Sequence, residues 1–184
     1  MSCPLKTAAF ISWCIALDKK LNLRQVVLFG ILGALTFAAK VAMAALPNIE
    51  PVSLFIILFA VVFGWKAVYP VYLYVLMEIL FYGLGPWNVY YLYVWLVLLV
   101  AAVLLRNMES PFLWAVVSGF FGLMFGALCA VADIFIGGPG YAISKWTMGV
   151  YFDLLHCGGN FIMALLLFKP LKGLMQRLYM QIQK

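Results

Sequence analysis

Apolar residues run along this chain in long blocks, and short polar or Gly/Pro-rich interruptions mark where each block ends. The first block, "TAAFISWCIAL", lies between Lys6 and Asp18-Lys19-Lys20. It falls well short of the roughly 20 residues that a spanning helix needs, so residues 1–21 read as an interfacial or cytoplasmic segment. A first span is expected from about Asn22 to Ala45, closed by Leu46-Pro47-Asn48. The next run, "VSLFIILFAVVFG", is also short of a full span and must be tilted, partial or packed among neighbours. A third span follows Gly64-Trp65-Lys66 and ends at "GLGPW", and a fourth runs from Trp87 to Leu105 before "RNMESP". A fifth is expected over Phe112–Ile136 before "GGPGY", and a sixth over Trp146–Phe168, stopped by Lys169-Pro170. Residues 22–171 thus form a six-helix membrane domain, and 172–184 a basic cytoplasmic tail.

Composition turns this pattern into a class. Of 184 residues, 67% are hydrophobic and 10% charged, against about 45–50% and about 25% in soluble domains. The chain is an all-α integral membrane protein. "AMAALP" has a small-x-small pattern, but it follows too long a stretch for a cleaved signal peptide of roughly 15–30 residues. Cys3, Cys14, Cys129 and Cys157 show no metal-type or C-x-x-C spacing and read as small packing residues.

Net charge is +6, and its distribution gives orientation. With six spans, Lys6, Lys19, Lys20, Arg24, Lys66, Arg106, Lys169, Lys172, Arg177 and Lys184 share one side. Only Lys40 and Lys145 fall towards the other. That bias places both termini in the cytoplasm. Trp87 and Trp146 then sit at the outer interface, where aromatic belts are expected.

The candidate chemistry lies in the outer half of the spans. At 1.5 Å per residue, Lys40 is roughly 10 Å below the outer boundary, and Glu78 lies at a similar depth. Asp153 and His156 are roughly 12–17 Å inside from Lys145, with Asp133 shallower. Asp153, His156 and Asn160 share one helical face, as do Tyr74, Glu78 and Tyr82, and Trp87, Tyr91 and Trp95. Ionisable groups inside a membrane are costly and face a partner or a cavity, and beside so many rings they have the composition of a small-molecule pocket. Other readings stand beside this one. Lys40 snorkels to the surface, or pairs with Glu78 as structural glue; Asp153 and His156 bond only to each other; the aromatic stripes face lipid. Three acids against one lysine favour a neutral or weakly cationic ligand.

Nothing reads as catalysis or as a resident metal or cofactor. The single histidine has no credible nucleophile, and no H-E-x-x-H or P-loop is present. On the first span, Gly30, Ala34, Ala38 and Ala42 recur every four residues, a small-residue stripe that suits either a partner helix or internal packing.

"GALTFAAK", "PNIEPVSLFIILFAVVFG" and "DLLHCGGNF" give the chain a resemblance, over about residues 22–171, to the substrate-binding S components of energy-coupling factor (ECF) transporters. The resemblance implies a bacterial plasma-membrane protein that captures a vitamin or vitamin precursor from outside. Such a subunit docks on a shared transmembrane scaffold bound to two ATPases, then topples to release its cargo. It further implies scaffold docking through Ala34 and Ala38, to which the small-residue stripe adds Gly30, and an outer substrate region near Asn48, Glu50, Trp87, Tyr91, Trp95, Asp133, Asp153, His156 and Asn160. "MSCPLKTAAF" lacks the histidine-rich start of metal-binding members, so the expected cargo is not a metal. With Lys40, Glu78 and Tyr82 added from depth and face, these residues form the expected site for a heteroaromatic ligand. The competing functions are an autonomous carrier or channel, a small membrane enzyme using Asp153 and His156, and a structural subunit.

Overall fold

A computed structural model describes residues 21–46 and 49–183; the expected interfacial segment apart from Leu21, and Asn48, lie outside the described residues. The elements are α1 (Leu23–Ala42), α2 (Val52–Phe63), a 3-10 turn (Gly64–Ala67), α3 (Val68–Tyr82), α4 (Pro86–Leu104) and α5 (Pro111–Gln183). Asn22 starts α1 with a capping box: its side chain accepts from the Gln25 amide at 2.7 Å, and its own amide donates to the Gln25 side chain at 3.3 Å. At α4, Pro86 takes the first helical position and the Asn88 side chain accepts from the Gly85 amide at 2.6 Å.

The expectation of six separate spans of S-component type is corrected. Among the described residues, four continuous helical stretches are long and apolar enough to cross a membrane: Leu23–Ala42, Val52–Tyr82, Pro86–Leu104 and Pro111–Ile182. Two interruptions expected as loops are absorbed into helix. At Gly64-Trp65-Lys66 the 3-10 turn joins α2 directly to α3, with Gly64 at φ 60°. Within "GGPGY" only Gly138 leaves helical geometry, at φ 83°, a conformation that glycine adopts without a Cβ penalty. Pro170 does not stop the chain either. Its ring costs one backbone bond, and the helix runs on to Gln183, held where Tyr179 packs edge-on to Phe63 and shares a hydrogen bond with Gln25.

Contacts show how these stretches are threaded. Phe29 touches both Phe63 and Tyr69, whereas Lys40 reaches both Glu50 and Glu78. The chain therefore descends α1's length along α2 and climbs back along α3. Likewise α5 folds on itself at Gly138: Trp114 stacks on Phe168, and the Gly126 amide donates to Asp153. Arg24, Lys66, Arg106 and the Tyr179 segment gather at one end, hereafter the basic end, and Lys40, Glu78 and Lys145 lie towards the other.

The short run that reads as too brief to span is the centre of the molecule. In α2, Val52, Leu54 and Ile56 to Ala60 are all fully buried, packed by α1, α4 and α5. Leu23, Ile31, Leu80, Phe135, Met148 and Leu166 face outward, whereas Thr36, Ser53, Glu78, Ser118, Asp133, Asp153, His156 and Asn160 are buried. Apolar outside and polar inside is the arrangement lipid selects. This is a multi-pass, membrane-embedded helical protein.

Candidate functional site

At the end away from the basic end, α1, α3 and α4 bound a cleft of about 340 Å³ lined by Lys40, Glu78, Tyr82, Trp87 and Tyr91. The helices run side by side here because Gly33 of α1 lets α3 come close: a Cβ on it would lie 2.8 Å from the Leu73 side chain and 2.9 Å from the Pro70 carbonyl. That approach brings Lys40 Nζ to 2.8 Å from Glu78 Oε2 and 3.0 Å from the Tyr91 hydroxyl. Glu50, just before α2, adds a second carboxylate 3.9 Å from the same ammonium. The ammonium also lies 4.9 Å from the Tyr91 ring centroid and 5.9 Å from that of Tyr74, within cation–π range. Lys40 does not snorkel to the surface: its side chain is 18% exposed and that of Glu78 2%. Burial pushes the Glu50 carboxyl above its ordinary pKa; nearby Lys40 opposes the rise and Glu78 adds to it.

Six of the expected site residues thus meet: Lys40, Glu50, Glu78, Tyr82, Trp87 and Tyr91. Trp95 stands behind them, fully buried, with its ring 5.4 Å from Tyr91 and 5.5 Å from Phe125. Past that aromatic wall lies a second polar group. Asp153 accepts from the Gly126 amide at 3.0 Å, His156 sits edge-on to Phe125, and Asn160 donates to Ser53 at 3.0 Å and to the Ser118 carbonyl at 3.2 Å. The structure does not bring these three to the cleft. Nor do Asp153 and His156 form a self-contained pair, since both His156 ring nitrogens lack a hydrogen-bond partner among the described residues. Asp133 is also elsewhere, held by the Tyr90 hydroxyl and by Lys145 at 2.9 Å.

Lys145, which falls between the fifth and sixth expected spans, is a further charged group with a defined partner. It bridges the two arms of α5, lying 4.9 Å from the Tyr90 ring centroid and 5.5 Å from that of Tyr141. Its partner was findable from spacing, because Asp133 and Lys145 are equidistant from Pro139 and a tight helical hairpin there must set them opposite each other. Gly30, Ala34 and Ala38 lie on the face of α1 turned away from the bundle: Ala34 and Ala38 are exposed, and a Cβ on Gly30 would meet nothing within 4 Å. No family model matches the chain, and neither does any curated protein or solved structure.

Proposed function

We propose that this protein is the substrate-capture subunit of an ECF-type importer, binding a small, vitamin-like heteroaromatic molecule and passing it to a scaffold subunit with two ATPases. The observation that carries the reading is the cleft lined by Lys40, Glu78, Tyr82, Trp87 and Tyr91, with Glu50 beside the Lys40 ammonium. Few convergent polar groups set in an aromatic wall orient a flat ligand and stack on it. The cleft opens at the end opposite the clustered basic residues, the end that the positive-inside bias puts outside the cell. Trp87 and Tyr82 flank the ring, and Glu78 with Lys40 takes its polar edge. Native mass spectrometry of the purified protein is expected to detect a bound small molecule with an aromatic ring system, lost in Trp87→Ala. An empty protein from cells supplied with vitamins would remove the reading.

The outward stripe on α1 supports the scaffold partnership. Two helices approach closely where small residues face each other, and here Gly30, Ala34 and Ala38 face no other described part of the chain. A tryptophan at Ala34 fills that surface without touching the cleft. Ala34→Trp is expected to abolish co-purification with the scaffold and ATPases and to abolish uptake, with ligand affinity unchanged. Undiminished co-purification would remove the docking assignment. Uptake that persists without the ATPases would favour an autonomous carrier instead.

A further inference from the structure

The charges around the cleft do not balance among the described residues, and the imbalance narrows the ligand. Asp133 is matched by Lys145, and Asp153 lies behind the aromatic wall, so neither counts here. What remains is one ammonium, Lys40, between two carboxylates, Glu50 and Glu78. Lys40 takes only one oxygen of Glu78. The other, Oε1, has no hydrogen-bond partner among the described residues, although the side chain is 2% exposed and the residue lines the cleft. A buried carboxylate oxygen without a donor is costly unless something supplies one.

Resting on the reading that this cleft captures the ligand, we propose that the ligand is an organic monocation, an aromatic ring bearing a charged N–H group that sits beside the Glu78 and Glu50 carboxylates. The cation completes a two-to-two balance with Lys40, Glu50 and Glu78. Its ring lies against Trp87 and Tyr82, whose π faces attract positive charge as well as stacking. An anion would put a third negative charge beside two carboxylates, and a neutral ring would leave the second carboxylate without a counter-charge.

The same arrangement sets a pH dependence. The groups facing Glu50 are Lys40 of α1, Glu78 and Tyr74 of α3, and Tyr91 of α4. Burial holds the free Glu50 carboxyl above its usual range. A bound cation favours its ionised form and lowers that value, so binding releases a proton wherever the pH lies between the bound and free values. Affinity for a cation therefore rises with pH through that window and levels off above the free value.

The test uses the full chain in nanodiscs and three near-isosteric probes: benzamidinium, neutral benzamide and anionic benzoate. Titration calorimetry at neutral pH is expected to show benzamidinium binding about tenfold more tightly than benzamide, with benzoate weaker still. The benzamidinium preference over benzamide should shrink at acidic pH and largely disappear in Glu50→Gln. Equal or tighter binding of benzamide or benzoate overturns the charge assignment and leaves the capture reading standing. A preference for benzamidinium that survives Glu50→Gln also overturns it. Binding of none of the three, or binding indifferent to Trp87→Ala, overturns the capture site and this inference together.

Discussion

Lys40→Met is expected to destabilise the protein by about 3–5 kcal/mol, because it removes one partner of a buried ion pair and leaves the other charged group behind. The methionine keeps the aliphatic stem in place, so the loss reports the ammonium rather than the packing. Glu78 then has neither oxygen partnered: Oε1 is already without a hydrogen bond among the described residues, and Oε2 loses its 2.8 Å contact. The Tyr91 hydroxyl loses its 3.0 Å contact at the same time. Thermal melting in detergent should show a large fall for the single variant. In Lys40→Met/Glu78→Gln most of the loss should return, since no unpaired carboxylate remains. Glu50→Gln alone should cost far less, because Glu50 is 3.9 Å from the ammonium and its side chain is 17% exposed. If the double variant melts no higher than Lys40→Met, the pair does not act as a unit.

The same residues show how far the sequence could be read. Lys40 and Glu78 were recognisable as one site because both lie a similar number of residues from the end of an apolar block, and depth follows directly from helical rise. Tyr82, Trp87 and Tyr91 joined them for the same reason, together with the positions they share on helix faces. Depth alone, however, says nothing about rotation around the bundle axis. Asp153, His156 and Asn160 lie at a comparable depth, yet they face the other arm of α5 and α2, with Trp95 and Phe125 in between. Which wall a polar face meets is decided by long-range packing, which no local pattern carries.

Helix count failed for a different physical reason. Glycine and proline at 64, 137–140 and 170 read locally as breaks, but a helix interrupted at one residue can keep its hydrogen bonds on both sides. Gly138 alone absorbs the reversal in α5, and the 3-10 turn at Gly64–Ala67 keeps the backbone paired between α2 and α3. By contrast, the burial of "VSLFIILFAVVFG" was readable from its length: a run too short to span and apolar all round has to be surrounded by protein.

Gly122→Ala is expected to be the most damaging single-carbon addition in the hairpin of α5. Gly119, Gly122 and Gly126 fall on one face of its first arm and let the second arm approach almost to backbone contact. A Cβ on Gly122 would lie 2.7 Å from the His156 carbonyl oxygen and 2.9 Å from the Cys157 amide nitrogen. These are backbone atoms, so no side-chain rotation relieves the clash and the arms must separate. Overpacking of this kind costs about 1–3 kcal/mol. The separation also lengthens the 3.0 Å bond from the Gly126 amide to Asp153 and disturbs the 3.0 Å bond from Asn160 to Ser53. Gly158→Ala in the second arm is the matched control: nothing lies within 4 Å of its added carbon, and alanine there should be neutral or stabilising by up to about 1 kcal/mol. Melting curves of the two variants in the same detergent separate a packing requirement from a general intolerance of the helix. Equal melting of Gly122→Ala and wild type would mean that the arms are not held at the separation seen here. A loss confined to Gly122→Ala would identify the glycine face as what keeps Asp153, His156 and Asn160 locked between the arms, one wall away from the cleft.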